Sequence, residues 1–245
     1  MPCYTAEQLS KLDPARVPYH VAVVLDGNRR WAAKHNLSSG EGHKAGCERV
    51  TLLLDAAKEI GVKVITLYAF STENWKRSSY EIEILMGLLC SYLKEQTPKM
   101  IREGIQFRTI GDLSKLRNDI QTLIQETKEV TQKGSSMQFV LALNYGARDE
   151  IRRAFHRMLE DYERGLLEKE EITESLISKY LDTCSLKDPD LFIRPSGEQR
   201  ISNFLLWQIS YTEIYTTPVL WPDFSSNDLL DAVLDFQRRE IRTGS

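Results

Sequence analysis

The chain has 245 residues, 42% of them apolar and 27% charged, with a formal net charge of −3 at pH 7. That length holds one large α/β domain or two small ones, and the apolar fraction supports a substantial core. The slightly acidic balance argues against a general nucleic-acid binder, which needs an excess of basic charge, but not against local basic pockets.

Residues 1–18 read as a polar lead-in, with Pro14 and Pro18 bounding the first strand, so the domain proper is expected over 19–245. The run from Val21 to Leu25 is apolar and β-branched and stops abruptly at Asp26-Gly27; Asn28, Arg29 and Arg30 follow, then helix formers from Trp31 to Lys34. This predicts a buried strand, a tight turn and a helix N-terminus. His35 to Gly42, rich in Ser and Gly, reads as a mobile loop. A helix is predicted over His43 to Ile60, where Val50, Leu53, Leu54, Ala57 and Ile60 recur at helical spacing. Val62 to Phe70 is a second strand, stopping at Ser71, Thr72, Glu73, Asn74, Trp75, Lys76 and Arg77. From Glu81 to Leu93 the apolar residues leave only a thin polar stripe, so this helix is either buried on several sides by protein or lines an apolar cavity. Strands over Ile105 to Ile110, Gln138 to Leu143, Leu191 to Ile193 and Glu213 to Thr217 are predicted to alternate with helices over Lys115 to Lys133, Ala147 to Tyr162, Thr173 to Leu181 and Asn227 to Arg242, with one or two helical turns over Asn203 to Gln208. The alternation gives an α/β fold: a single domain around a central parallel sheet of about six strands, with helices on both faces.

The four cysteines (Cys3, Cys47, Cys90, Cys184) are scattered and form no CxxC, so a disulfide framework or zinc site is not expected and a reducing cytosol fits. The N-terminal stretch lacks an apolar signal core, and no apolar run reaches transmembrane length. The expected location is cytoplasmic, with any membrane contact peripheral, at the inner face of the plasma membrane.

Three strand ends carry the same kinds of residue: Asp26 and Arg30; Ser71, Glu73, Asn74 and Arg77; Arg194, Glu198 and Arg200. In a parallel sheet all carboxyl ends lie on one edge, where open α/β sheets bind ligands. Arginines there imply a polyanion, and a diphosphate suits bidentate guanidinium geometry. Asp26 beside such a site is repulsive unless a cation lies between, and Mg²⁺ is the simplest candidate. The bland alternative is a loop in which Asp26 caps the helix and the arginines are solvated. Trp31 and Trp75 are of a type more often packing residues than ligand stackers, His43 also reads as a helix cap, and Glu213 as a buried ion-pair partner. Two phosphate sites beside an apolar cavity are what joining isoprenoid diphosphates requires.

The motifs DGNRRWA (Asp26 to Ala32), GHKAG (Gly42 to Gly46), TLYAFSTENWKR (Thr66 to Arg77), NYGARDEI (Asn144 to Ile151), DLFIRPSGEQRISNFLLWQISYTEIY (Asp190 to Tyr215) and WPDF (Trp221 to Phe224) span nearly the whole domain. In this the chain resembles the cis-prenyltransferases, the family of bacterial undecaprenyl diphosphate synthase. The resemblance implies that an allylic diphosphate (farnesyl diphosphate in the family) sits on Gly27, Asn28, Arg29 and Arg30 with His43 and Arg77 nearby. Isopentenyl diphosphate would be held by Arg194, Arg200 and Ser202, and Mg²⁺ by Asp26 and Glu213. Ser71, Glu73 and Asn74 would orient substrate and assist proton removal, Asn74 being the family's proposed acceptor although an amide is a poor base. Trp31, Thr72, Trp75 and Ile201 complete the expected substrate-binding set. The growing chain would thread an apolar tunnel along Leu85, Leu88, Leu89, Leu141 and Leu143, giving undecaprenyl diphosphate, a lipid-carrier precursor for cell-wall polysaccharide. Arg242-Thr243-Gly244 resembles a C-terminal motif that reaches a partner subunit, implying a homodimer. Two departures stand out: Ser39 where relatives often carry a basic residue, and Pro195 after Arg194. The alternatives are a cis-prenyltransferase of other product length and, further from the pattern, a catalytically silent, lipid-binding partner subunit, which the presence of Asp26, Asn28 and Arg30 disfavours. A phosphate-binding hydrolase would need a nucleophile or a second metal cluster, and neither is found. As a strand-end carboxylate, Asp26 is expected to contribute little to stability.

Overall fold

A computed structural model describes residues 2–240. Six strands form one parallel sheet in the order β3-β4-β2-β1-β5-β6. They are β1 (His20–Val24), β2 (Val64–Ser71), β3 (Ile105–Ile110), β4 (Met137–Tyr145), β5 (Leu191–Arg194) and β6 (Glu213–Thr216). All five residues of β1 are buried. With both faces covered, its apolar run is continuous rather than alternating. Val21 and Val23 join one core and Ala22 and Val24 a second core on the other face. Each buried valine contributes about 1.5–3 kcal/mol by leaving water.

Among the described residues there are eight α-helices: α1 (Ala6–Leu9), α2 (Asn28–Lys34), α3 (Ser39–Glu59), α4 (Ser79–Glu103), α5 (Asn118–Thr131), α6 (Ala147–Glu163), α7 (Glu174–Tyr180) and α8 (Ser226–Arg238). Residues of α3, α4, α5 and α8 complete the first core, while α6 and the turn around Phe204 cover the second. The chain leaves β1 towards β2 on one side, and β5 arrives on the other. The crevice at the carboxyl end of β1 is therefore the topological switch point. No described helix is long and apolar enough to cross a membrane.

Three sequence expectations change. The lead-in is part of the domain: Tyr4 is buried in the first core, its hydroxyl donates to the Ser226 carbonyl at 3.0 Å, and the Cys3 N–H donates to Glu59 at 2.6 Å. The second half of the expected loop over His35 to Gly42 is helical, because Ser38 caps α3 and Glu41 returns a hydrogen bond to the Ser38 N–H at 2.8 Å. Asn203 to Gln208 forms turns rather than helix, since Ser202, Asn203 and Leu205 adopt left-handed φ values of 50°, 61° and 51°, which a right-handed helix cannot continue. The Arg242-Thr243-Gly244 motif lies outside the described residues.

Candidate active site

The end of β1 is a charged junction. Asp26 Oδ2 accepts from Arg194 Nη2 at 2.8 Å, and Asp26 Oδ1 accepts from the Gly27 N–H at 2.7 Å. Arg194 is 3% exposed, yet its Nε and Nη1 have no hydrogen-bond partner. Unpaired guanidinium donors in a buried position are costly unless something else accepts from them. Arg30 donates to the Ser196 carbonyl at 3.0 Å and hydroxyl at 2.7 Å, and pairs with Glu198 at 3.0 Å. Gly27 turns the chain into α2 with φ of 104°, a conformation that side chains rarely adopt. Two further glycines let α3 approach α2 closely. A Cβ at Gly46 would stand 2.1 Å from Asn28 Oδ1, and one at Gly42 would stand 2.3 Å from the Asn28 carbonyl oxygen.

The end of β2 is bent by an irregularity in its pairing with β4 between Tyr68 and Ser71. Such bulges re-aim side chains next to functional sites. Beyond it, Asn74 Oδ1 accepts from the Ser71 N–H at 3.1 Å, leaving the amide nitrogen as donor. Glu73 Oε1 accepts from Asn203 Nδ2 at 3.0 Å. Burial pushes the Glu73 carboxyl up, but hydrogen bonds from its own backbone, Asn203, Ser71 and Thr72 outweigh this and hold it below the usual range. Glu81, in the first turn of α4, joins two other elements: its Oε1 accepts from Arg77 Nη1 at 2.7 Å and contacts His43 Nε2 at 3.1 Å. Burial lowers the His43 imidazole below its ordinary value, and Arg77 and Arg29 add to this against the Glu81 hydrogen bond. The downward direction favours the neutral ring over the imidazolium.

These two polar ends open into one cavity of about 550 Å³. Asp26, Asn28, His43 and Arg77 line it with Ser71, Glu73, Asn74, Arg194 and Ser202. Its deeper walls are Val50, Leu85, Leu88, Leu89, Leu141 and Leu143, with Tyr92 and Phe139 edge-to-face at 6.3 Å. The open question about α4 is thereby answered: Leu85, Leu88 and Leu89 are half-buried because they face a cavity.

The remaining expected residues sit outside the cavity wall. Trp31 donates to Asp223 at 2.7 Å and lies tilted against His35, with ring centroids 4.2 Å apart. Trp75 donates to Asn144 at 2.7 Å and packs on Phe70. Of the two, Trp75 packs against the first core. Arg29 is exposed, Arg200 pairs with Glu198, and Ile201 packs against the second core. Gly27 and Thr72 shape the adjoining turns. Glu213 is a correction: within one chain it does not join Asp26. It starts β6 opposite Leu191, which lies opposite Val21, five positions before Asp26. At about 3.3 Å per residue that is roughly 16 Å along the strands. Glu213 instead pairs with Arg239 at 2.7 Å. Among the described residues no three His, Cys, Asp or Glu side chains are grouped to hold a metal by themselves. Mg²⁺ needs only one or two carboxylates when a substrate supplies phosphate oxygens. Asp26, part-exposed beside the unpaired Arg194 nitrogens, fits that role. Glu81 and Asn203 each tie separate elements of the site together and were missed by sequence reasoning; the first lay inside a helix read for its apolar face.

The sequence model described as "Putative undecaprenyl diphosphate synthase", a prenyltransferase family, matches residues 24–244. The chain belongs to this family. An isoprenyl transferase of Chlamydia trachomatis is 45% identical over 93% of this chain and 92% of its own length, and one of Rhizobium meliloti is 44% identical over 96% of each. Among solved structures, lavandulyl diphosphate synthase from Lavandula x intermedia, in complex with dimethylallyl diphosphate, superposes with a TM-score of 0.92 at 36% identity, covering 94% of this chain and all of that one. A probable undecaprenyl diphosphate synthase from Campylobacter jejuni gives 0.77 at 34% identity, over 93% and 99%. The family places the chain among the cis-prenyltransferases, enzymes that act on allylic and isopentenyl diphosphates.

Proposed function

We propose that the chain lengthens farnesyl diphosphate by successive cis-condensation with isopentenyl diphosphate, to a product of the undecaprenyl type. The observation that carries this is one cavity with unpaired, buried Arg194 donors at its polar end and leucine walls at the other. A diphosphate with a hydrocarbon tail has the same polarity profile. The allylic carbon–oxygen bond breaks, the isopentenyl double bond forms the new carbon–carbon bond, and a proton leaves that unit.

The residues divide the work. Arg194 Nε and Nη1, with Ser202 and Arg200, donate to the isopentenyl diphosphate. Asn28, Arg29 and Arg30 at the start of α2, with Arg77 held by Glu81, take the allylic one. Charge fixed in place before reaction stabilises the departing diphosphate without reorganisation. Mg²⁺, held by Asp26 and the substrate's phosphate oxygens, would supply further charge neutralisation. Asn74 presents an N–H to the cavity, which suits a group that orients a diphosphate; the leaving diphosphate is the better proton acceptor. The lipid product gives the enzyme a place at the inner membrane face, and Glu213 with the C-terminal arginine gives a homodimer something to share.

The test incubates the purified protein with farnesyl diphosphate, labelled isopentenyl diphosphate and Mg²⁺, with an EDTA control, and sizes the products. A metal-dependent undecaprenyl product is expected. A different ladder keeps the enzyme class and changes the product; no product, with isopentenyl diphosphate still bound, overturns the reading in favour of a silent subunit.

A further inference from the structure

Asn203 has no role in the reaction outlined above, yet it touches three strand ends. It lies in the turn after β5, next to Ser202, with φ of 61°. Asparagine is one of the few residues that adopt this conformation readily. Its Nδ2 donates to Glu73 Oε1 at 3.0 Å, in the turn after β2. Its Oδ1 accepts from the Arg148 N–H at 2.9 Å, and its carbonyl accepts from the Ala147 N–H at 2.8 Å, both at the start of α6 directly after β4. Room for this comes from Gly146, where a Cβ would stand 2.7 Å from Asn203 Nδ2 and 2.6 Å from Thr72 Oγ1. The next residue, Phe204, is fully buried and stacks on Tyr68 at 4.4 Å. The amide cannot be turned over: a backbone N–H only donates, so the oxygen must face Arg148 and the nitrogen must face Glu73.

We propose that Asn203 is a positioning residue that fixes the Glu73 carboxylate against the turn carrying Ser202, holding the allylic and isopentenyl halves of the site in one register. This rests on the function proposed above. Its two functional groups do different things. The oxygen and the carbonyl anchor the turn to α6; the amide nitrogen alone aims Glu73. Glu73 is otherwise held by its own turn, through Ser71, Thr72 and its own backbone. The ionisable group facing it from the sheet is Tyr68, whose hydroxyl is raised by burial and by the Glu73 charge.

The two roles separate in the Asn203→Asp variant. Aspartate keeps the acceptor for Arg148, loses the donor to Glu73, and sets a second carboxylate against it. The variant is expected to fold, to lose kcat by at least about tenfold at pH 8, and to regain part of it at lower pH, where the two carboxylates share a proton. Asn203→Gly, which tolerates the same φ, is expected to lose kcat roughly tenfold, as for one charged hydrogen bond, with the starter KM within about twofold. Wild-type kcat and pH profile in Asn203→Asp would show that only the anchor to α6 matters and would overturn the proposal. Should the wild-type protein make no product, the function reading fails separately. The pin is then read from the Glu73 carboxyl resonance by carbon-13 NMR: its titration moves to higher pH in Asn203→Gly if the amide holds it, and stays in place if it does not.

Discussion

The two ends of the cavity are built on opposite terms. Where β1 and β5 finish, charged groups are paired, with Asp26 held by the buried Arg194 and Arg30 by Ser196 and Glu198. Along α4, Leu85, Leu88 and Leu89 are half-buried and line the cavity. The charged end must present one fixed arrangement, because electrostatic stabilisation works only when the groups need not move. On the function proposed above, the apolar end takes a tail whose length changes at every cycle, so it cannot be close-packed like a core. Substitutions at the first end should therefore act on rate and stability together, and those at the second on what is made.

Asp26→Ala is expected to give the largest effect, a fall in activity of at least about 10³-fold. The sequence suggested little cost in stability, but the structure reverses that, because the variant leaves Arg194 buried without its partner. Breaking a fully buried pair costs about 3–5 kcal/mol. Asp26 is part-exposed, with 31% of its side chain accessible, so about 1–3 kcal/mol is expected here. For a chain of this size that is a drop of several degrees in Tm. Wild-type Tm in the variant would mean that the pair stores nothing.

Gly46→Ala comes next. The added methyl would meet Asn28 Oδ1 at 2.1 Å and the Trp221 ring at 2.9 Å, so α2 must move away from α3. Misplacing the allylic site by about 1 Å can cost on the order of 10²-fold in rate. Turnover unchanged in Gly46→Ala would separate Asn28 from catalysis. Glu81→Gln is milder: it keeps the shape but loses the charge that holds Arg77 and His43 together. A rise of about tenfold in the starter KM is expected, with the KM for isopentenyl diphosphate little changed. An equal rise in both would show that Glu81 does not discriminate between the two halves.

These first positions differ in how far the sequence reveals them. The end of β1 is legible because an apolar run, a glycine and two arginines are contiguous, and the parallel sheet follows from the alternation of strands and helices. Glu81 is hidden because its partners, His43 and Arg77, come from other elements, and only tertiary packing makes one carboxylate serve both. Gly46 is legible as a glycine but not as a contact, since the atom it admits belongs to α2. Glu213 is misplaced by sequence for a different reason: a matching motif carries no register, and the pairing of β6 with β5 sets it back along the sheet. The start of α3 reads as loop when Ser and Gly are taken as flexible, while in the fold Ser38 and Glu41 form a capping box.

The other end of β1 offers a control far from the chemistry. His20 is buried between the Lys187 carbonyl at 2.6 Å and Thr66 at 2.7 Å. Burial lowers its imidazole to about 4, against the Lys187 hydrogen bond, which raises it. The unfolded chain takes up this proton near pH 6.5, so the stability is complete above that pH and is lost as pH falls from about 6.5 to about 4. The loss is at most roughly 3 kcal/mol. Tm measured across that range should fall in the wild type and fall less steeply in His20→Asn, with activity at neutral pH nearly unchanged. Parallel curves would move the acid sensitivity elsewhere, His43 being the next candidate.

The smallest effect on rate is expected in the apolar wall, and it is the sharpest test of the contrast. Leu141 on β4 lines the cavity together with Leu85, Leu88 and Leu89 of α4. Leu141→Trp fills that space without touching a phosphate ligand, so initial condensation should stay within about threefold while the product becomes shorter. Tyr92→Ala, which removes a ring from the cavity wall beside Phe139, should lengthen it. Opposite shifts from the two variants, at similar rates, are what a hydrocarbon path along α4 requires. If both leave the ladder unchanged while slowing turnover, the tail leaves by another route, and the half-buried leucines are simply a loosely packed core.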